Sequence, residues 1–154
     1  MQINEKEKTM PVHILLIEDN PGDARLMREV LLGANNGVHL LVVSDGVEAM
    51  AFLRRQGAYV HAPCPDLILL DLNLPKMDGR EVLAHIKADA SLKRIPVIVL
   101  TSSDAEVDIA KSYQLHANCY LSKLGQLSEF EMLVKSLNDF WLTTVTLPQQ
   151  MQSG

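Results

Sequence analysis

Residues 66–78 read Asp66-Leu-Ile-Leu-Leu-Asp71-Leu-Asn-Leu-Pro-Lys-Met-Asp78, with Gly79 next. Leu67, Ile68, Leu69 and Leu70 form an unbroken apolar run, short enough for a strand covered on both faces, as in a parallel sheet. The run ends at the carboxylate of Asp71. Leu74-Pro75 then requires an extended or turn conformation, and Asp78-Gly79 opens a helix with Val82, Leu83 and Ile86 at helical spacing. An Asp at the carboxyl end of a buried strand faces the crevice where open α/β sheets place their chemistry. Taken singly, an Asp at this place is more often a cap or turn residue, so the other strand ends decide its meaning.

Outward from this stretch, strand-like and helix-like segments alternate. Val12 to Ile17 is a strand run closed by Glu18-Asp19-Asn20-Pro21-Gly22-Asp23, and a helix follows with Leu26, Met27, Val30 and Leu31 on one face, stopping near Gly33. Leu40 to Val43 is a second strand closed by Asp45-Gly46. The next helix carries Val47, Met50, Ala51 and Leu53 and ends at Gly57. Beyond the central strand and its helix over 79–88, Pro96 starts a fourth strand, Val97 to Leu100, and Thr101-Ser-Ser-Asp104 suits a helix start. A short helix around Val107 to Tyr113, a fifth strand over Asn118 to Leu121, and a last helix complete the pattern. That last helix sets Phe130, Leu133, Val134, Leu137 and Trp141 three and four apart. Five strands alternating with five helices predict an α/β fold, a five-stranded parallel sheet doubly wound by helices. Short right-handed crossovers favour the strand order 2-1-3-4-5, flavodoxin-like.

Composition sets the outer limits. The 154 residues suit one domain with a sizeable core. Fourteen Lys+Arg against nineteen Asp+Glu give a net charge of −5 with no basic run, which argues against nucleic acid as the direct partner. No apolar stretch reaches the roughly 18 residues of a membrane span. The polar start, Met1 to Lys8, lacks the apolar core of a signal peptide. Cys64 and Cys119 make neither a metal motif nor a disulfide framework, so a cytoplasmic protein with free thiols is expected. Residues 1–11 read as a flexible tail, 12–142 as the domain and 143–154 as a second tail.

The expected topology gathers the polar strand ends. With neighbouring strands about 4.8 Å apart, Glu18-Asp19 lies one strand from Asp71 on one side and Thr101 one strand away on the other. Lys123, just past the fifth strand, is two strands off, within reach of a long flexible stem. Singly, these are a solvated acidic loop, a helix start and a surface lysine. Jointly they are a specific signal. Three carboxylates in one crevice need a counter-charge, and hard oxygen donors with room for water suit Mg²⁺. Asp19, Asp71 and the Asn73 carbonyl are the expected direct ligands, with Glu18 acting through water.

The sequence resembles a response-regulator receiver domain, and the likeness covers about residues 12–142. By that resemblance Glu18 and Asp19 are the acidic pair, Asp71 is the phosphorylated aspartate, Thr101 the hydroxyl contacting the phosphoryl group, and Lys123 the motif lysine. Tyr120 matches the aromatic switch position, and Asn73 and Ser103 flank the phosphoryl group and tune the access of water. Glu-Asp-Asn-Pro-Gly-Asp at 18–23, Leu-Asn-Leu-Pro-Lys at 72–76, Leu-His-Ala-Asn-Cys-Tyr at 115–120 and Phe-Trp-Leu-Thr-Thr-Val-Thr-Leu-Pro at 140–148 are similar to the single-domain regulators that partner cyanobacterial phytochromes. The resemblance implies phosphoryl transfer from a phytochrome-like sensor histidine kinase to Asp71, with Mg²⁺, and no separate substrate turned over. One departure is Leu124, where the family usually has Pro; a cis bond costs about 3 kcal/mol without proline, so a differently running Lys123 loop is expected.

Two other classes fit parts of the pattern. A haloacid-dehalogenase-like phosphatase also uses an Asp nucleophile and Mg²⁺, but its second Asp, two residues on, is a general acid; Asn73 cannot serve. A flavodoxin-like cofactor binder, or a receiver-shaped module that is never phosphorylated, need not keep Glu18, Asp19, Asp71, Thr101 and Lys123 together. The chain ends about a dozen residues past the last helix, so output by protein contact rather than an attached domain is expected. The strand over 118–121 carries neither Pro nor charge, and Phe140, Trp141, Leu142, Val145 and Leu147 crowd the end of the chain. Together they predict a homodimer through the fourth helix, fifth strand and fifth helix.

Overall fold

The computed structural model describes residues 12–34, 38–101 and 119–122. Five strands form one sheet: β1 (Val12–Ile17), β2 (Val38–Val43), β3 (Leu67–Leu70), β4 (Val97–Thr101) and β5 (Cys119–Ser122). All pairings are parallel, in the order β2-β1-β3-β4-β5, as the alternation predicts. Among the described residues the helices are α1 (Pro21–Ala34), α2 (Gly46–Leu53) and α3 (Gly79–Ala88), with a 3₁₀ turn at Gly57–Tyr59. The expected helices around 107–113 and over 130–141 lie outside the described residues.

The apolar quartet of β3 is fully buried because both faces of the sheet are covered. Leu67 and Leu69 join Ile14 and Leu16 of β1 under Met27 and Leu31 of α1. Ile68 and Leu70 join Leu15 and Ile17 on the opposite face, under Met50 and Leu53 of α2 and Val82, Leu83 and Ile86 of α3. Successive strand side chains alternate between faces, so each central strand must be apolar throughout to feed two cores. That is why periodicity vanishes there.

Three details depart from expectation. β2 begins at Val38, two residues earlier, because its burial alternates and exposed His39 interrupts an otherwise apolar strand. Helix α2 stops at Leu53 rather than Gly57: Arg54 is its C-cap, and Arg55 turns the chain with φ 55°. Val47 is 51% exposed, and the buried face of α2 is Ala49, Met50, Phe52 and Leu53, so Met50 and Leu53 face inward as expected while Val47 does not. With apolar residues at most positions of this helix, spacing alone did not select the face. At the far end of α3, the half-buried Lys87 ammonium donates to the carbonyls of Lys93 and Ile95, both at 3.0 Å. Burial holds the pKa of this amine below the usual lysine range, and its bonds anchor the segment leading into β4.

Candidate functional site

Two ladder extensions deliver the acidic groups. The Glu18 N–H donates to the Val43 carbonyl at 3.0 Å, carrying the β1–β2 pairing one residue past the strand, and the Asp71 N–H donates to the Ile17 carbonyl at 3.0 Å, doing the same for β1–β3. Both backbones are thereby fixed at the carboxyl edge of the sheet. Carboxylate oxygens of Glu18, Asp19 and Asp71 all lie within 4.8 Å of one another, Glu18 and Asp71 buried and Asp19 exposed. Asn20 organises the outer rim. Its N–H donates to Glu18 Oε2 at 3.2 Å, its side-chain oxygen accepts from the Asp23 N–H at 3.1 Å, and its carbonyl accepts from the Ala24 N–H. It thus caps α1 while steadying Glu18.

The loop after β3 is held from both ends. The Asn73 N–H donates to Asp71 Oδ1 at 3.0 Å, fixing one oxygen of the central carboxylate. Asp78 caps α3, its side chain accepting from the Arg80 N–H. Gly79 packs directly on the backbone behind the site: a Cβ there would sit 2.3 Å from the Asp71 carbonyl oxygen and 2.5 Å from Leu72 Cα. Only a residue without a side chain allows α3 to start so close to the acidic strand end.

The other flank of this loop rests on the start of α2. A Cβ on Gly46 would meet the Met77 carbonyl oxygen at 2.0 Å, and the Gly46 N–H points to the Pro75 carbonyl at 3.4 Å. Lys76, at φ 68°, extends its ammonium to within 3.5 Å of Asp45 Oδ2. Asp45 is buried and caps α2, its Oδ1 accepting from the Glu48 N–H at 2.7 Å. Glu48 in turn accepts from the Tyr59 hydroxyl. That hydrogen bond, helped by burial and by the charges of Glu48 and Asp45, pushes the Tyr59 phenol up to about 12. In the sequence Asp45-Gly46 reads as the close of a strand. An Asp-Gly immediately before an apolar helical run was the available signal for a cap.

Of the residues singled out in the sequence, Glu18, Asp19 and Asp71 come together as expected, and Asn73 stands beside Asp71. Thr101 closes β4, two residues beyond Val99, the partner of Leu70, and its backbone pairs with Ser122 of β5. Tyr120 pairs with Val99 within β5. Lys123, Ser103 and Leu124 lie outside the described residues. The donor set suits Mg²⁺: it is wholly hard oxygen, and three carboxylates converge within one ion's reach.

A parallel doubly wound sheet with an acidic crevice at its carboxyl edge defines the class. The family model described as "Response regulator receiver domain" matches residues 14–135, and the chain belongs to that family. It is similar to response regulator Rcp1 of Synechocystis sp., 54% identical over 142 residues, covering 92% of this chain and 97% of that protein. Among solved structures it is similar to the phosphorylated cyanobacterial phytochrome response regulator RcpA and to the Mn²⁺-bound form of Rcp1. Each match has a TM-score of 0.87 and 54% identity, covering 90% of this chain and 99% of the other. The bacteriophytochrome response regulator AtBRR is more distant, with a TM-score of 0.69 and 38% identity over 86% of this chain and 96% of the other.

Proposed function

We propose that this chain is a single-domain response regulator that takes a phosphoryl group from a phytochrome-like sensor histidine kinase onto Asp71. The observation that carries the reading is the convergence of Glu18, Asp19 and Asp71 within 4.8 Å at the ends of β1 and β3. The Asp71 oxygen not engaged by the Asn73 N–H forms the new O–P bond, the P–N bond to the kinase imidazole breaks, and the imidazole leaves neutral. Asn73 orients the nucleophile through its 3.0 Å hydrogen bond to Asp71 Oδ1. Asp19, Asp71 and the Asn73 carbonyl would hold Mg²⁺, with Glu18 through water, and a bound ion would supply positive charge against the transferring oxygens. Of the two most similar structures described above, one is of a phosphorylated cyanobacterial phytochrome regulator and the other is Mn²⁺-bound, which supports both halves of this reading.

In the same reading Thr101 and Lys123 contact the phosphoryl group, Ser103 helps control water, and Tyr120 moves as Thr101 is drawn inward, changing the surface beside β5. The domain spans 12–142 between two tails, acts in the cytoplasm, turns over no separate substrate and works as a homodimer without nucleic acid. No helix among the described residues is long and apolar enough to cross a membrane. The deciding experiment is incubation with acetyl phosphate and Mg²⁺, then with candidate kinases. Acid-labile phosphate should appear on the wild type and be absent from Asp71→Asn. Labelling of Asp71→Asn at the wild-type rate would remove Asp71 from the role. Sedimentation with and without residues 143–154 tests the dimer, and an unchanged monomer mass in both would refute it.

A further inference from the structure

We propose that His13 and His39 form a two-imidazole site for a borderline divalent cation of the Zn²⁺ class, at the end of the sheet opposite the acidic crevice. The two residues are register partners on β1 and β2. Side chains of in-register neighbours on parallel strands project from the same face. Their ring centroids are 5.2 Å apart with the planes tilted by 35°. Two ring nitrogens bound to one ion at about 2.0–2.1 Å each must approach to roughly 3 Å. Imidazoles at this separation reach that by rotating about their own side-chain bonds, with no movement of either strand.

The surroundings favour a metal over a charge pair. Both histidines line a groove of about 230 Å³ whose other walls include Leu41, Phe52, Pro63 and Pro65, and among the described residues the two imidazoles are its only titratable lining groups. The His13 backbone is held twice by one residue: Asp66 Oδ2 accepts from the His13 N–H at 2.9 Å, and the Asp66 N–H donates to the His13 carbonyl at 2.7 Å. One ligand is therefore anchored and its partner is fixed by the β1–β2 ladder, so little ordering remains to be done on binding. His39 is exposed, leaving room for waters to complete the coordination. Imidazole donors select Zn²⁺, Ni²⁺ or Cu²⁺ over Mg²⁺, and the five residue steps from His13 to Glu18 put about 16 Å of strand between the two sites. The ends of β1 would then hold different metals by different chemistry.

The test is calorimetric titration of the full chain with Zn²⁺ under saturating Mg²⁺, repeated on Asp71→Asn to keep the acidic crevice out of the reading. One Zn²⁺ per chain is expected in both proteins. His13→Gln and His39→Gln should each weaken binding by at least about tenfold through loss of the second tethered ligand. The double variant should bind little worse than either single one. Zn²⁺ should also raise the Tm of the wild type and of Asp71→Asn, but not of the double variant, whose metal-free melting and uptake of phosphate from acetyl phosphate report an intact fold. Equal Zn²⁺ affinity in the wild type and the double variant, which retains His61, His85 and His116, would overturn the proposal. So would loss of binding on only one of the two substitutions, or on Asp71→Asn alone.

Discussion

Replacing Asp71 by Asn should make the metal-free protein more stable, and the amount follows from the crevice. At 4.8 Å and an effective dielectric of about 20, two unit charges repel by about 3 kcal/mol. The substitution cancels two such pairs, with Glu18 and with Asp19. Asp19 is exposed, so solvent and salt take most of its share. The buried Glu18–Asp71 pair accounts for the remainder. The hydrogen bond from the Asn73 N–H survives, since the new amide presents an oxygen where Asp71 Oδ1 accepts now. A net gain of about 1–3 kcal/mol is expected, which for a chain of this size raises Tm by about 2–4 °C per kcal/mol. Thermal melts in EDTA at low ionic strength measure it, and the gain should shrink as salt is added. Added Mg²⁺ should narrow or reverse the difference, because only the wild type offers the full acidic set. An Asp71→Asn variant that melts at or below the wild type in EDTA would refute the electrostatic account of this crevice.

Asp19→Ala should remove most of the Mg²⁺-dependent rise in Tm, which in the wild type grows as RT ln(1 + [L]/Kd); a Tm independent of Mg²⁺ in the wild type would argue against a metal site. Gly46→Ala should cost about 1–3 kcal/mol in denaturant melts through overlap with the Met77 backbone. It should also slow phosphorylation by acetyl phosphate, because the displaced loop carries Asn73. Gly57→Ala, at φ +58° with open space around it, should cost only about 1–2 kcal/mol and leave phosphorylation unchanged. Tyr59→Phe should cost about 1 kcal/mol near neutral pH. The phenol's folded pKa of about 12 exceeds its unfolded value near 10. Its contribution is therefore full below pH 10 and lost as pH rises toward 12. Urea melts across that window should show a decline in the wild type that is weaker in Tyr59→Phe.

The parts of the fold legible in the sequence are those where the physical demands on a residue agree. Leu67 to Leu70 must satisfy two cores at once, so an unbroken apolar run has one reading. Asp78-Gly79 must cap a helix and also pass within contact of the Asp71 backbone, and α3 begins at that position. Where two demands compete, the pattern blurs. Helix α2 is apolar around most of its circumference, so spacing put Val47 inward, whereas packing leaves it 51% exposed. The sequence puts its end at Gly57, because glycine is the usual left-handed residue after a helix. The chain instead turns earlier, with Arg55 at φ 55°, a conformation that a non-glycine side chain does not advertise. In the crevice, strand-end position made Glu18, Asp19 and Asp71 legible. The Lys76–Asp45 pair was not legible, because it joins two loops at positions where neither residue type is unusual.

That pair bears on how a change at Asp71 could travel. The loop from Asp71 to Asp78 has few side chains buried in the core beyond Leu72, so its position depends on the surfaces that grip it. One grip is α3, through the Gly79 N–H to the Leu72 carbonyl at 2.9 Å. The other is α2, through Gly46 against Met77 and Asp45 toward Lys76. The ion pair is a weak tether, because the Lys76 side chain is 66% exposed, against 13% for Asp45, and solvent around the ammonium keeps such a contact to about 0–1 kcal/mol. The glycine contact is different in kind, because backbone against backbone has no rotamer through which to yield. A charge added at Asp71 can therefore loosen Lys76 at little cost, while any shift of the Pro75–Met77 backbone must move the start of α2 with it. The rigid coupling in this half of the crevice runs through Gly46, and the Gly46→Ala and Lys76→Ala variants separate the two: the first should alter phosphorylation kinetics, the second should change them by less than about fivefold.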